Sequence, residues 1–222
     1  MDDLLSCPIG YTGEETLERY IIDHIDGESL LLSSLYRDTN IRLLNPRMAS
    51  GQIQGRFLKM LTTMICPERV LEIGTFTAYS TICIAEGLSE GGFIHTVEID
   101  DELEPFINKW IGESGYADRI ELHIGDALKV VPDLGLSFDM VFIDGNKREY
   151  PEYYSKLFEF VRSGGYIVAD NTLWNGHVAD PERYSDRHTK AIRTFNNMVA
   201  ADKRVEVAIV PLRDGLSIIR KK

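Results

Sequence analysis

Cysteine is scarce in this 222-residue chain: Cys7, Cys66 and Cys83 are the only three, far apart and without a CxxC pair. Such spacing suggests neither a disulfide framework nor a zinc site, and is what a reducing, cytoplasmic protein is expected to show. Positive charge is also in deficit. The 24 Lys and Arg are outnumbered by 35 Asp and Glu, giving a formal charge of -11. That balance argues against non-specific nucleic-acid binding and leaves a small molecule as the expected partner. No apolar run approaches the roughly 18 residues of a membrane span. The opening MDDLLSCPIG is acidic where a signal peptide is basic. Internal repeats, low-complexity segments and obvious linkers are absent as well. With 44% hydrophobic residues, the chain has material for one well-buried domain and too little for two, so a single domain over 1–222 is expected.

What is present is an alternation of short β-branched runs with longer amphipathic stretches from about Arg69 onward, the pattern of a parallel sheet with helices on both faces. Seven strands are expected: RVLEIG, FIHTVEI, IELHIG, FDMVFID, GYIVAD, RVEVAIV and LSIIR. Helices begin near Tyr79, Asp101, Ala127 and Tyr150 between the first five. Only PLRDG separates the last two strands, too little for a parallel return, so they must form an antiparallel hairpin. The first 65 residues read as helical, one stretch running through GEETLERYIIDHIDGESLLLSSLYRDT and another through SGQIQGRFLKMLTTMI. They carry no catalytic signature, and are expected to cap a sheet edge or to form a dimer surface.

Two groups of residues carry chemistry. The first follows VLEIG, where Gly74 permits a tight turn into a hydroxyl-rich helix start at which a ligand can approach backbone amides. This is not the three-glycine dinucleotide fingerprint, which disfavours a nicotinamide-dependent dehydrogenase. Glu98 ends the second strand, where an acid can accept both hydroxyls of a ribose. Asp126 in IGDAL is either an N-cap or an acceptor for an adenine amino group. Glu72 lies inside an apolar central strand, costly unless paired, and is expected to meet a ligand or a backbone amide. The second group sits at the ends of the fourth and fifth strands, VFIDGNKREY and IVADNTLWNG. Ligands of parallel sheets bind beyond the carboxyl ends of strands. If these two strands are neighbours, about 4.8 Å apart, Asp144, Asp170 and Asn171 can share one cation. Two carboxylates and an amide suit a hard ion such as Mg2+. Asp-Asn is also ordinary turn chemistry, and the match with Asp144 is what favours the metal reading. Lys147, one helical turn beyond Asp144, is a candidate base if a cation lowers its pKa, and otherwise a surface lysine. Trp174 offers a wall for a flat substrate.

In VLEIGTFTAYS, FIDGNKREYPEYY, GGYIVADNTLWNG and DKRVEVAIVPLRDGLSIIRKK the chain resembles the cation-dependent, S-adenosylmethionine-using O-methyltransferases, the group of catechol and caffeoyl-CoA O-methyltransferases, over nearly its whole length. The resemblance implies a class I methyltransferase (Rossmann-like) α/β fold, a seven-stranded mostly parallel sheet with an antiparallel last strand, with helices in 1–65 capping a core of 66–222. It implies Asp144, Asp170 and Asn171 as ligands of Mg2+ (or Mn2+ or Ca2+) and Lys147 as the base. It puts Glu98 on the ribose, and Glu72, Gly74, Ser80, Asp126 and Ala127, with Asp144, around the rest of S-adenosylmethionine. Met48, Trp174, Asn175 and Asp214 fall toward a small aromatic acceptor, and a homodimer is implied. Ala78 stands where the family commonly has glycine. QGR (Gln54 to Arg56) replaces a frequent EGQ, and Arg56 is expected to favour an anionic acceptor. The loop from His177 to Lys190 matches no family segment. An alternative acceptor is a hydroxylated uridine in tRNA, kept open by Arg183, Arg187, Lys190 and Arg193. A non-catalytic module retaining the fold fits poorly with a full metal set and lysine.

Overall fold

The β-branched runs become seven strands of one sheet in the computed structural model, which describes residues 14–222; Cys7 and the acidic opening segment lie outside the described residues. The strands are β1 (Arg69–Ile73), β2 (Phe93–Glu98), β3 (Ile120–Ile124), β4 (Phe138–Ile143), β5 (Val161–Ala169), β6 (Val205–Val210) and β7 (Leu216–Lys221). Their order is β3-β2-β1-β4-β5-β7-β6. β1 to β5 pair in parallel, and β7 lies antiparallel between β5 and β6. The expected hairpin is therefore present, with its second strand inserted next to β5. β5 starts four residues before the expected GYIVAD, and its pairing with β4 shifts register between Phe138 and Met140.

Side-chain alternation divides the core in two. Val70 and Ile94 face a layer containing α3 (Gly51–Ile65), α4 (Tyr79–Gly87) and α5 (Glu104–Glu113). Leu71, Val97 and Val141 face α6 (Ala127–Leu134), α7 (Tyr150–Leu157) and α8 (Arg187–Ala201). The amino-terminal stretch expected as one helix is two, α1 (Glu14–His24) and α2 (Leu30–Arg42). Gly27 lies in the break, and the Ser29 side chain caps α2 by accepting from Leu32 N at 3.2 Å. The His177–Lys190 segment is a loop only in part. Asp186 caps α8 by accepting from His188 N and Thr189 N, and Ile192, Phe195 and Val199 recur at helical spacing on its buried face. Among the described residues no helix is long and apolar enough to cross a membrane.

The order reverses at β1, which has β2 on one side and β4 on the other, and the crevice beyond the strand ends opens there.

Candidate active site

A cavity of about 1430 Å3 lies over the carboxyl ends of β1, β2, β4 and β5. Typical single-ligand pockets run roughly 300–1,000 Å3, so this one has room for two ligands side by side. Gly74, Glu98 and Ala127 line it beyond β1, β2 and β3, Asp144, Lys147, Asp170 and Asn171 beyond β4 and β5, with Trp174 also lining it and Met48 lining both it and a small pit that Gly74 and Asp144 share. Ser80 lines that adjoining pit as well.

The turn after β1 is built for close approach. Gly74 has φ +95°, and its N–H donates to Val97 O at 2.9 Å. Glu98 organises the next residues: Oε2 accepts from Phe76 N at 2.7 Å, and Oε1 accepts from Ile99 N and Asp100 N at 2.9 and 3.0 Å. It is an anchor for two loops as well as a lining acid. Ala78 takes φ +64° at the start of α4 and is fully buried. Glycine adopts that conformation freely, whereas a Cβ there costs roughly 1–2 kcal/mol.

Two of the acids read as cofactor contacts are engaged differently. Asp126 caps α6 by accepting from Leu128 N at 2.9 Å, while its neighbours Gly125 and Ala127 line the cavity. Glu72 is fully buried and meets neither a backbone amide nor the cavity: its carboxylate accepts from the hydroxyls of Ser80 (2.5 Å), Thr81 and Thr96 (2.7 Å). Ser80 is thus the link between Glu72 and the pit. Burial pushes the Glu72 carboxyl up from an ordinary 4.5 to about 7, against the pull of those three hydroxyls. The native state therefore holds this proton more tightly than the unfolded chain. Its stabilising contribution is complete below about 4.5 and is lost as pH rises through about 7, at about 1.36 kcal/mol per unit of pKa difference. Urea unfolding across that window should show wild type losing stability relative to Glu72→Gln; parallel pH curves would remove this assignment.

At the other strand pair, Tyr150 ties the floor together. Its hydroxyl, fully buried, donates to Ile143 O and Asp170 O at 3.0 and 3.1 Å, spanning the ends of β4 and β5. Asp170 N donates to Ile143 O at 3.0 Å. The chain turns sharply after Asp170, with Asn171 at φ +55° and its N–H donating to Asp170 Oδ1 at 2.7 Å. Asp170 Oδ2 accepts from Gln54 Nε2 of α3 at 2.8 Å. Arg213 in turn donates to Gln54 Oε1 at 3.0 Å and to the carbonyls of Ala49 and Ser50. Neither Gln54 nor Arg213 had a role read from sequence. The supposed cap of helices thus reaches a candidate metal ligand directly.

Lys147 Nζ lies 2.6 Å from Asp144 Oδ1 and 5.1 Å from the Tyr150 ring centroid. Burial pushes the Asp144 carboxyl up to about 6 despite Lys147, and the nearby Asp170 charge pushes the same way. For Lys147, burial favours loss of the proton, but the charge of Asp144 outweighs it and the net direction is upward. That is opposite to the lowering expected beside a cation, because here the partner is an anion. A buried carboxylate, Asp170, and a partly buried one, Asp144, that repel each other, with an amide beside them, form an all-oxygen donor set suited to a hard divalent ion.

The acceptor end holds two surprises. Asn175 and Asp214 do not line the cavity. The Asn175 N–H donates to Asp214 Oδ1, and Leu173 N and Trp174 N donate to Asp214 O, so this pair shapes the loop that presents Trp174. Trp174 stacks on His188 of α8, ring centroids 5.8 Å apart and 26° between planes. Arg56 is also absent from the cavity: it pairs with Glu86 of α4 at 3.0 Å, so it does not bear on acceptor charge. Of the cations that suggested tRNA, Arg193 is engaged by the carbonyls of His177 and Tyr184.

Residues 23–222 match the family described as O-methyltransferase. Caffeoyl-CoA O-methyltransferase 1 of Eucalyptus globulus is 35% identical over 184 residues, covering 78% of this chain and 75% of that protein. Among solved structures, the O-methyltransferase TomG of Streptomyces achromogenes, in complex with S-adenosylmethionine, superposes with a TM-score of 0.88 at 29% identity, over 96% of this chain and 99% of that one. The O-methyltransferase of Bacillus cereus, in complex with S-adenosylhomocysteine, gives 0.86 at 27% identity, over 93% and 97%. A seven-strand order with an antiparallel β7, a glycine turn beyond β1 and this sequence similarity lead to one conclusion: the chain belongs to the S-adenosylmethionine-dependent O-methyltransferase family that includes the caffeoyl-CoA O-methyltransferases.

Proposed function

We propose that this O-methyltransferase acts on a phenolic hydroxyl of a small catechol-like or caffeoyl-like aromatic, with a divalent hard ion held by Asp144, Asp170 and Asn171. The observation that carries the reading is the convergence of the acids Asp144 and Asp170 and of Lys147 on the floor of a cavity that also contains the Gly74 turn and Trp174. When bound, S-adenosylmethionine supplies the methyl group, and a divalent ion supplies positive charge that favours an ionised oxygen at the acceptor. A phenol with a pKa near 10 is otherwise mostly protonated at pH 7. Lys147 is the group placed to take the hydroxyl proton at Nζ, and it does so only when the charge of Asp144 is directed to another partner. Glu98 and the Gly74 turn hold the cofactor end, while Met48 and Trp174 bracket the acceptor and exclude water. Aligning acceptor and methyl donor in one cavity contributes up to about 7–11 kcal/mol in well-oriented systems.

The direct test is transfer of labelled methyl from S-adenosylmethionine to caffeic acid, with Mg2+ and then with EDTA. Transfer that disappears with EDTA and returns with added Mg2+ is expected. Transfer insensitive to EDTA would overturn the metal assignment, and tight cofactor binding without transfer to any 3,4-dihydroxy aromatic would overturn the acceptor class.

A further inference from the structure

At the far edge of the sheet three side chains that methyl transfer does not use converge. The register of β2 and β3 sets His95 opposite Glu121 and Val97 opposite His123. Alternation then puts His95, Glu121 and His123 on one face. Each offers one donor atom, and the three atoms lie within 4.8 Å of one another, the one such group of His, Cys, Asp and Glu among the described residues. His95 Nδ1 is 3.1 Å from His123 Nε2 and 3.4 Å from Glu121 Oε2.

These separations have a chemical meaning. Donors bound about 2.0–2.1 Å from one zinc ion in a tetrahedron lie roughly 3.3 Å apart, and the two distances from His95 bracket that value. A hydrogen bond between the rings explains only the first of them. Nδ1 of His95 carries at most one hydrogen, yet it faces an imidazole nitrogen and a carboxylate oxygen together. A cation on that side satisfies all three donors. Burial lowers the His95 pKa, which keeps the imidazole neutral as a ligand must be. The His95 side chain is 9% exposed and that of Glu121 is 54% exposed, so the buried nitrogen is reached from solvent past the carboxylate, where a water can complete the shell. Two imidazoles and one carboxylate suit zinc better than Mg2+. Down β2 the cluster is three residues from Glu98, about 10 Å at strand rise; the His95 ring meets Phe138 edge-on, and none of the three residues lines the cavity.

We propose that His95, Glu121 and His123 form a second metal site, selective for Zn2+ over Mg2+, that fastens edge strand β3 to β2. It has three protein ligands and one exchangeable position, and it acts on the stability of the β3 edge rather than on methyl transfer.

The test uses full-length protein stripped with EDTA, dialysed, and titrated with Zn2+ against a chromophoric indicator in excess Mg2+. Asp170→Ala serves as the background, because it removes the hard-ion site from the count. On that background one equivalent of Zn2+ should bind and raise the thermal midpoint. Adding His123→Ala should weaken binding roughly tenfold or more, since even changes outside the ligand shell cost 10–100-fold, and should abolish the thermal shift. Adding Glu121→Ala, at a more exposed position, should also weaken binding and carries the test if the histidine variant does not fold. Co2+ should give the visible bands of a tetrahedral site in Asp170→Ala and lose them with His123→Ala. No Zn2+ bound in Asp170→Ala, or binding unaffected by either added substitution, would overturn the proposal. Neither result bears on the methyl-transfer reading.

Discussion

Asp170→Ala should lower Mg2+-supported methyl transfer about 10^3-fold or more while leaving S-adenosylmethionine affinity within about twofold. A metal's charge stabilisation is worth several kcal/mol, and about 1.4 kcal/mol is tenfold in rate. The separation of effects follows from place. Asp170 ends β5, whereas the Gly74 turn and Glu98 end β1 and β2, with β4 between them and β5. Two effects on stability oppose each other. Alanine leaves Gln54 Nε2 without its buried acceptor, a cost of about 1–3 kcal/mol, and at the same time relieves the repulsion between Asp170 and Asp144. Steady-state rates over a Mg2+ series, with cofactor binding by calorimetry, read both halves. A variant with wild-type turnover would sink the metal assignment, and one that lost cofactor affinity in parallel would show that the two halves of the cavity are not independent.

Gly74→Ala should cost about 3 kcal/mol or more of unfolding free energy, a value from the high end for single substitutions. Two effects combine. At φ +95° any side chain is strained, and a Cβ at this position would stand 2.6 Å from Asp144 O, 2.8 Å from Asp144 C and 3.0 Å from Gly145 N. Those are backbone atoms, and they have little freedom to retreat because Asp144 N donates to Ile73 O at 2.8 Å. The displaced segment is the one that carries Asp144 and Lys147, so turnover should fall with stability. Gly91 separates the causes: at φ +81° it has no heavy atom within 4 Å of its would-be Cβ. Gly91→Ala should therefore show the conformational cost alone, about 1 kcal/mol. Equal losses in urea unfolding for the two variants would show that the contact with Asp144 is not what requires glycine.

Much of the sheet was legible because its strands announce themselves twice, by β-branched runs and by the acids that end them at the ligand edge. The hairpin of β6 and β7 followed from a five-residue separation alone. What escaped depends on elements meeting in space. Glu72 read as an acid in need of a partner, but hydroxyls on α4 and β2 are partners only once those elements close over β1. Arg56 looked available for an acceptor, since nothing local reveals that Glu86 lies across the α3–α4 contact. α8 had its signal in Asp186 and in the spacing of Ile192, Phe195 and Val199, hidden in a segment dominated by charge. Cysteine spacing could not bear on the cluster of His95, Glu121 and His123, which meet only through the register of two strands.

The chain Arg213–Gln54–Asp170 joins the turn before β7, helix α3 and the end of β5. Chimaeras between this enzyme and its relatives are constrained by it. A crossover placed between residues 65 and 69, at the apparent seam between helices and sheet, would import a foreign partner at position 54 opposite the resident Arg213 and Asp170. Recombinants should keep function when all three positions come from one parent, which makes a residue at the back of the sequence part of the inheritance of one near its front.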